Sequence, residues 1–300
     1  MTKNLKSTRD GFGEGILQAG EENKDVVVLT ADLGESTRVD KFAEKFPDRF
    51  VQVGVAEQNL ASVASGMAAM GKIPFMTSFS IFSPGRNWEQ IRTTIAYNNA
   101  NVKIVGSHAG VVTGADGGSH QALEDIALTR VIPRMTVFSP ADFEEAKQMT
   151  LEAMEIQGPV YLRLSRLATE PLPEELPQEG EIAIVATGHL VPEAVLASQE
   201  LEKEGIKTRV INLSRIKPLK SEMILNLARE VKGIVTVEDH QLAGGMGSVI
   251  AEFLSQNHPT RIEFVAVKDQ FGQSGKPEQL LRHYKLDTKS IKESVYKLLK

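Results

Sequence analysis

Cysteine is absent from the 300 residues, which removes disulfides, thiolate nucleophiles, zinc–thiolate sites and cysteine-held iron–sulfur clusters from the available chemistry. Oxygen and nitrogen groups must do the work. Long apolar runs are also missing. No stretch reaches the ~20 residues that span a bilayer, and the polar start from Met1 to Asp10 lacks the apolar centre of a signal peptide. A cytoplasmic chain with no membrane contact is expected. Nor is there an excess of positive charge. The formal net charge is -5 and the basic residues are scattered, so nothing draws in a phosphate backbone or anionic lipid at long range. No nucleic-acid partner is expected. What is present is ordinary for a folded protein, 41% apolar and 24% charged, in enough chain for two domains of roughly 100–200 residues.

Apolar, β-rich runs such as 26-VVVLT-30, 73-IPFMTSF-79, 103-KIVGSH-108 and 160-VYLRL-164 alternate with helical patterns at 39–47, 56–70 and 141–156. That rhythm implies a parallel sheet covered by helices on both faces. It breaks at 168-ATEPLPEELPQEG-180, where three prolines and four acids disfavour helix and buried strand alike. Beyond the break, 182-IAIVATG-188, 207-KTRVINL-213, 233-GIVTVED-239 and 262-IEFVAV-267 resume it. The expected fold is α/β in two domains, 1–167 and 181–300, joined by a linker at 168–180, each a mainly parallel sheet flanked by helices.

Glu57 follows the strand-like 51-VQVGV-55 and opens 56-AEQNLASVASGMAAMG-71. A lone glutamate there is ordinarily a first-turn charge favoured by the helix dipole. Pressed among Val53, Val55 and small side chains it would lose water, which favours its proton-bearing form and suits acid–base work beside a basic ring. The helix itself, with Ala61, Ser62, Ala64, Ser65, Gly66, Ala68 and Ala69, suggests a crowded buried interface. Phe79 and Phe82 come at the end of a strand, where α/β sheets build ligand crevices, though core packing explains them equally well.

The stretch 106-GSHAGVVTGADGGSHQALEDIA-127 sets glycines around His108, Asp116 and His120 and reads as a polar, flexible binding loop. The spacing completes no metal site. The glycine turns 114-GADGG-118 and 244-GGMGS-248 resemble phosphate cradles but complete no fingerprint. Arg9, in a pre-helical segment, Ser36, after strand 26–32, and Arg166, past strand 160–164, each read singly as surface residues.

Together 8-TR-9, 30-TADLGES-36, 52-QVGVAEQN-59, 77-TSFSIF-82, 106-GSHAGVVTGADGGSHQ-121 and 163-RLSR-166 resemble the pyrimidine-binding and C-terminal domains of transketolase, in order and register, over essentially the whole chain. The resemblance implies thiamine diphosphate as cofactor. It makes Glu57 similar to the glutamate that hydrogen-bonds the aminopyrimidine and promotes the imino tautomer that deprotonates the thiazolium carbon. Phe79 and Phe82 would flank that ring, with Asp32 lining the same cleft. His108 and Asp116 would bind the donor's hydroxyls and His120 the sugar or cofactor, the histidines also shuttling protons. Arg9, Ser36 and Arg166 would hold the sugar phosphate, whose oxygens match arginine forks and a hydroxyl.

Two departures accompany the likeness. One extra residue among Pro84, Gly85 and Arg86 leaves Arg86 without an assigned role. The family's domain bearing the magnesium ligands and the G-D-G diphosphate motif has no counterpart, which implies that Mg2+ and the diphosphate are held by a separate N-terminal subunit in an α2β2 heterotetramer. The expected activity is transfer of a two-carbon ketol unit from a ketose phosphate to an aldose phosphate. The alternatives are the beta subunit of a 2-oxo-acid dehydrogenase, a deoxyxylulose-phosphate-synthase-like enzyme, and a non-catalytic assembly or regulatory module. A nicotinamide enzyme built on 233-GIVTVED-239 lacks its fingerprint. Glu238, Asp239 and His240 are expected to be structural or interfacial and not catalytic, in a domain that chiefly widens a dimer contact.

Overall fold

The computed structural model describes residues 5–300. The chain enters through Lys6–Ser7, which pairs antiparallel with Ala168–Thr169, and turns at once into the helix Thr8–Glu22. Ser7 caps that helix by accepting from the Asp10 N–H while Asp10 reaches back to the Ser7 N–H, a reciprocal arrangement that satisfies two orphan donors. Arg9 therefore stands in the first helical turn, not ahead of it. A β-carbon on Gly11 would meet the Phe143 carbonyl at 2.1 Å, and one on Gly15 the Thr150 β-carbon at 2.8 Å. The two glycines let this helix lie directly on the helix Phe143–Glu155.

The first sheet runs in the order Arg215–Lys217, Thr136–Phe138, Val160–Arg163, Lys103–Ser107, Ile73–Phe79, Val26–Thr30, Phe50–Gln52. Six strands are parallel; the first is antiparallel to its neighbour. Strands such as Val26–Thr30 are buried throughout, as a sheet with helices on both faces requires. The second sheet, Thr208–Asn212, Ile182–Ala186, Gly233–Gln241, Ile262–Val267, is wholly parallel. The two-domain α/β reading holds.

The halves interlock more than a linker reading anticipates. Arg215–Lys217 belongs in sequence to the C-terminal half yet extends the first sheet, and the Lys217 ammonium donates to the Arg130 and Ile132 carbonyls at 2.8 and 2.5 Å. One apolar core includes Val27, Leu29 and Met76 together with Ile216, Ile224 and Ile234. A second places Val111, Val112 and Leu123 among Ile184, Val235 and Val265. Burying each such aliphatic side chain contributes roughly 1.5–3 kcal/mol.

The segment 106–127 is accordingly no flexible loop. Val111 through Gly114 and Gln121 through Leu123 are buried, because the valines and Leu123 plug into the second core; the glycines serve tight turns instead of mobility. The small-residue helix Glu57–Ala69 also differs from expectation. It buries Leu60, Ala61 and Ala64 while Gln58, Asn59, Ser62, Gly66 and Ala69 face outward, so its crowding is one-sided within the chain.

Candidate active site

The parallel strands of the first sheet deliver their carboxyl ends to one crevice, the usual ligand position in open α/β sheets. Phe50–Gln52 leads to Glu57, Ile73–Phe79 to the two phenylalanines, Lys103–Ser107 to His108, and Val160–Arg163 to Arg166.

Glu57 is the first residue of its helix and only 4% exposed. Its environment is not the one the sequence suggests: Val55 is 71% exposed and gives no apolar wall. Arg86 encloses the carboxylate, its Nη1 donating to both oxygens at 3.3 and 3.2 Å, while its guanidinium lies 4.1 Å over the Phe82 ring. Asn87 Nδ2 donates to the Glu57 carbonyl at 3.0 Å and to Ser83 Oγ at 3.1 Å. Arg86, which the sequence leaves without a role, is the partner of this glutamate.

Phe79 and Phe82 lie nearly parallel, 13° apart in plane with centroids at 6.0 Å. His108 stacks on Phe79 at 3.9 Å and His120 presents its edge to Phe82 at 5.4 Å. Four rings thus form one wall.

His108 is buried and adopts φ of +59°, a conformation costly for a non-glycine residue. Thr113 Oγ1 holds its carbonyl at 2.5 Å, and Ser107 Oγ lies 2.9 Å from Nδ1. Arg9 Nη1 is 3.3 Å from Nε2. Since arginine can only donate, Nε2 accepts and the proton sits on Nδ1. Burial, then repulsion by Arg9, Arg166 and Arg38, lowers the His108 pKa to about 3, so the ring is a neutral hydrogen-bonding group and not a proton shuttle near neutrality.

A pH dependence follows. Unfolded, a histidine titrates near 6.5; folded, this one stays neutral down to about 3. Between those values the unfolded chain binds the proton that the folded chain refuses, so this contribution to stability is complete above about 6.5 and is lost progressively as pH falls toward 3. Thermal melts of the full chain at pH 7 and pH 4.5 are expected to show a smaller acid-induced drop for His108→Gln than for the native chain. Equal drops would refute the assignment.

Arg9 and Arg166, with Arg38, form a cationic cluster beside His108; nothing ties Asp32 to it. Arg9 Nη1 donates to the Ser36 carbonyl at 3.2 Å, so what it touches is backbone and not the hydroxyl. Its Nε is buried with no hydrogen-bond partner. Burial, then Arg38, pushes the Arg9 guanidinium below its ordinary pKa, with Arg166 adding to the effect; an anion entering the pocket would relieve all three. Arg166 Nη1 donates to the Thr113 carbonyl at 3.2 Å and to Asp116 Oδ2 at 3.1 Å, pairing two residues expected to contact substrate separately. Arg38, which no sequence signal picked out, is tied to Asp10 at 2.7 Å. Asp32 is exposed, with φ of +61°, and its N–H donates to Gln52 Oε1 at 2.7 Å.

Neither glycine turn is a free phosphate cradle. At 244-GGMGS-248 the N–H groups of Met246 and Gly247 donate to the buried Glu238 carboxylate at 2.6 and 2.8 Å, so the protein's own anion fills the helix start. At 114-GADGG-118 the Gly117 N–H is already bonded to the Gly114 carbonyl at 3.1 Å, and Gly117 and Gly118 pack against Ser274 and Gly272.

Comparison with known proteins brings the two halves of the chain together. The family model described as transketolase, pyrimidine binding domain, matches residues 5–171, and that described as transketolase, C-terminal domain, matches residues 174–291. A Methanocaldococcus jannaschii protein provisionally named as a transketolase C-terminal section is 41% identical over 98% of this chain and 97% of its own length. The 6-deoxy-6-sulfo-D-fructose transketolase subunit of Clostridium sp. strain MSTE9 is 36% identical over 97% of this chain and 94% of its own. A solved structure described as a split gene transketolase, inactive beta4 tetramer, superposes with a TM-score of 0.88 at 41% identity, covering 98% of both chains.

Proposed function

The chain belongs to the transketolase family, and we propose that it is the subunit of a split transketolase that receives the aminopyrimidine of thiamine diphosphate and the sugar, moving a two-carbon ketol unit between sugar phosphates. The observation that carries this is the buried Glu57 carboxylate beside the parallel Phe79 and Phe82 rings. A near-buried carboxylate with an aromatic wall fits an aminopyrimidine, which needs an acid at a ring nitrogen and an apolar surface for its face.

When bound, thiamine diphosphate supplies the carbon nucleophile and electron sink of the reaction. Glu57 holds the proton shared with the pyrimidine ring nitrogen, and Arg86 fixes the carboxylate's orientation. Phe82, with Phe79 behind it, sets the ring plane. Asp32 lines the same cleft. His108, neutral, offers a hydrogen bond to a donor hydroxyl; His120 and Asp116 take further hydroxyls. Arg9 and Arg166, with Ser36 at the pocket's edge, hold the phosphate. Glu57, His108 and His120 are the catalytic candidates.

Within this reading the diphosphate and its Mg2+ are held by a separate N-terminal subunit, in an α2β2 assembly. Support comes from the split-gene neighbour, whose tetramer of beta chains alone is described as inactive. The test is to combine the chain with a diphosphate-binding subunit, thiamine diphosphate and Mg2+. Turnover of xylulose phosphate with ribose phosphate is expected from the mixture and from neither chain alone. Turnover of pyruvate with glyceraldehyde phosphate instead would make the enzyme a deoxyxylulose-phosphate synthase. Decarboxylation of a 2-oxo acid would make it a dehydrogenase component.

A further inference from the structure

The C-terminal half reaches into the segment that carries His108 and Asp116. Asp239, fully buried on the strand Gly233–Gln241, accepts the Val111 N–H on Oδ1 at 3.0 Å. Its Oδ2 stands 3.2 Å from His189 Nε2, an ion-pair distance. Gly110, at φ of +86°, leaves no room between them: a β-carbon there would lie 2.0 Å from Oδ2. Two residues on, the Gln241 N–H donates to the Leu123 carbonyl at 2.8 Å. One strand end therefore grips the segment at Val111, three residues past His108, and at Leu123, beyond Asp116 and His120. Val111 begins the turn whose Thr113 secures the His108 carbonyl and, through its own carbonyl, meets Arg166.

A carboxylate sunk in a core is costly unless it is needed. Here the segment turns at Gly110 and Gly114, both at positive φ, and a fixed acceptor at the Val111 N–H sets the register of the turn between them. We propose that Asp239 is a positioning residue of the sugar site: the C-terminal domain uses its carboxylate to hold Gly110–Asp116 in the conformation that presents His108 and Asp116 to the donor sugar. The domain is then part of the substrate site and not only a wider contact surface. The sugar-site part rests on the reading given above.

Amide exchange in the full chain and steady-state kinetics in the reconstituted enzyme test it. Asp239→Ala is expected to speed exchange at Val111 by roughly 10- to 100-fold, the loss of one hydrogen bond to a charged acceptor, with the strand Ile182–Ala186 unchanged. It should raise KM for the ketose phosphate by about tenfold at an unaltered Kd for thiamine diphosphate. Asp239→Asn keeps an acceptor for Val111 and should restore both. Unchanged exchange at Val111 overturns the proposal, as does faster exchange with an unchanged KM. If Asp239→Ala does not fold, Gly110→Ala disturbs the same contact from the other side and is held to the same two readouts. A native enzyme without turnover would sink the transketolase reading, and exchange at Val111 alone would then decide whether Asp239 holds the segment.

Discussion

Glu57→Gln, reconstituted with the diphosphate-binding subunit, is expected to lose about 10²- to 10⁴-fold in ketol-transfer turnover, the usual contribution of a positioned acid–base group. Glutamine matches glutamate in shape and keeps an oxygen for the Arg86 Nη1, so packing at the helix start and the Asn87 contact to the Glu57 carbonyl survive. What disappears is the group able to share a proton with the pyrimidine ring. Cofactor affinity, set largely by the diphosphate and the aromatic wall, should change far less than turnover. Arg86→Ala provides the control. Its guanidinium side chain is 52% exposed, so solvent screens the pair, and removing it is expected to cost about tenfold or less. Near-normal turnover in Glu57→Gln would remove the carboxylate from the chemistry altogether. A loss in Arg86→Ala as large as that in Glu57→Gln would show that orientation, and not the proton, is what the glutamate supplies.

The contrast between these two residues shows what the sequence could carry. The positions of Glu57, Phe79 and Phe82 at the ends of apolar strands are legible locally, because strand ends define the crevice; their roles come only with the family resemblance. Arg86 is not legible, because its contact depends on how the chain turns through Ser83 to Gly85, which no periodicity encodes. The glycines and polar residues of 106–127 suggest a mobile segment; Val111, Val112 and Leu123 are the contrary signal, but their partners lie in the second sheet, far along the chain. Distance in sequence also hid Arg215–Lys217, three residues that complete a sheet whose neighbouring strand, Thr136–Phe138, precedes them by more than seventy positions. Local pattern gave elements and their order, whereas the contacts that shape the crevice come from residues whose roles appear only after the halves are packed.

The polar junction between those halves leads to the second large effect. Arg163→Leu is expected to destabilise the chain by about 3–5 kcal/mol, the cost of removing one member of a buried ion pair. Arg163 and Asp125 are 4% and 1% exposed; Arg163 Nε donates to Asp125 Oδ2 at 2.8 Å, and the Tyr161 hydroxyl donates to the same oxygen at 2.6 Å. The other arm of Arg163 donates to the Asp239 carbonyl at 2.7 Å, so a single guanidinium joins the first sheet to the strand Gly233–Gln241. Burial works against the arginine cation, yet Asp125, with Asp239 and Tyr161 adding to it, holds the Arg163 pKa above its ordinary value. Without the arginine, Asp125 keeps only the tyrosine hydroxyl, and its Oδ1 has no hydrogen-bond partner even in the intact protein. Removing both charges avoids that stranded carboxylate, so Asp125→Leu combined with Arg163→Leu should recover most of the loss. Trp88, the single tryptophan, bonds the Leu128 carbonyl at 2.6 Å, one turn beyond Asp125, and its fluorescence in urea follows this junction directly. If Arg163→Leu costs less than about 1 kcal/mol, the value of an exposed pair, water has replaced the guanidinium and the junction is looser than its burial implies.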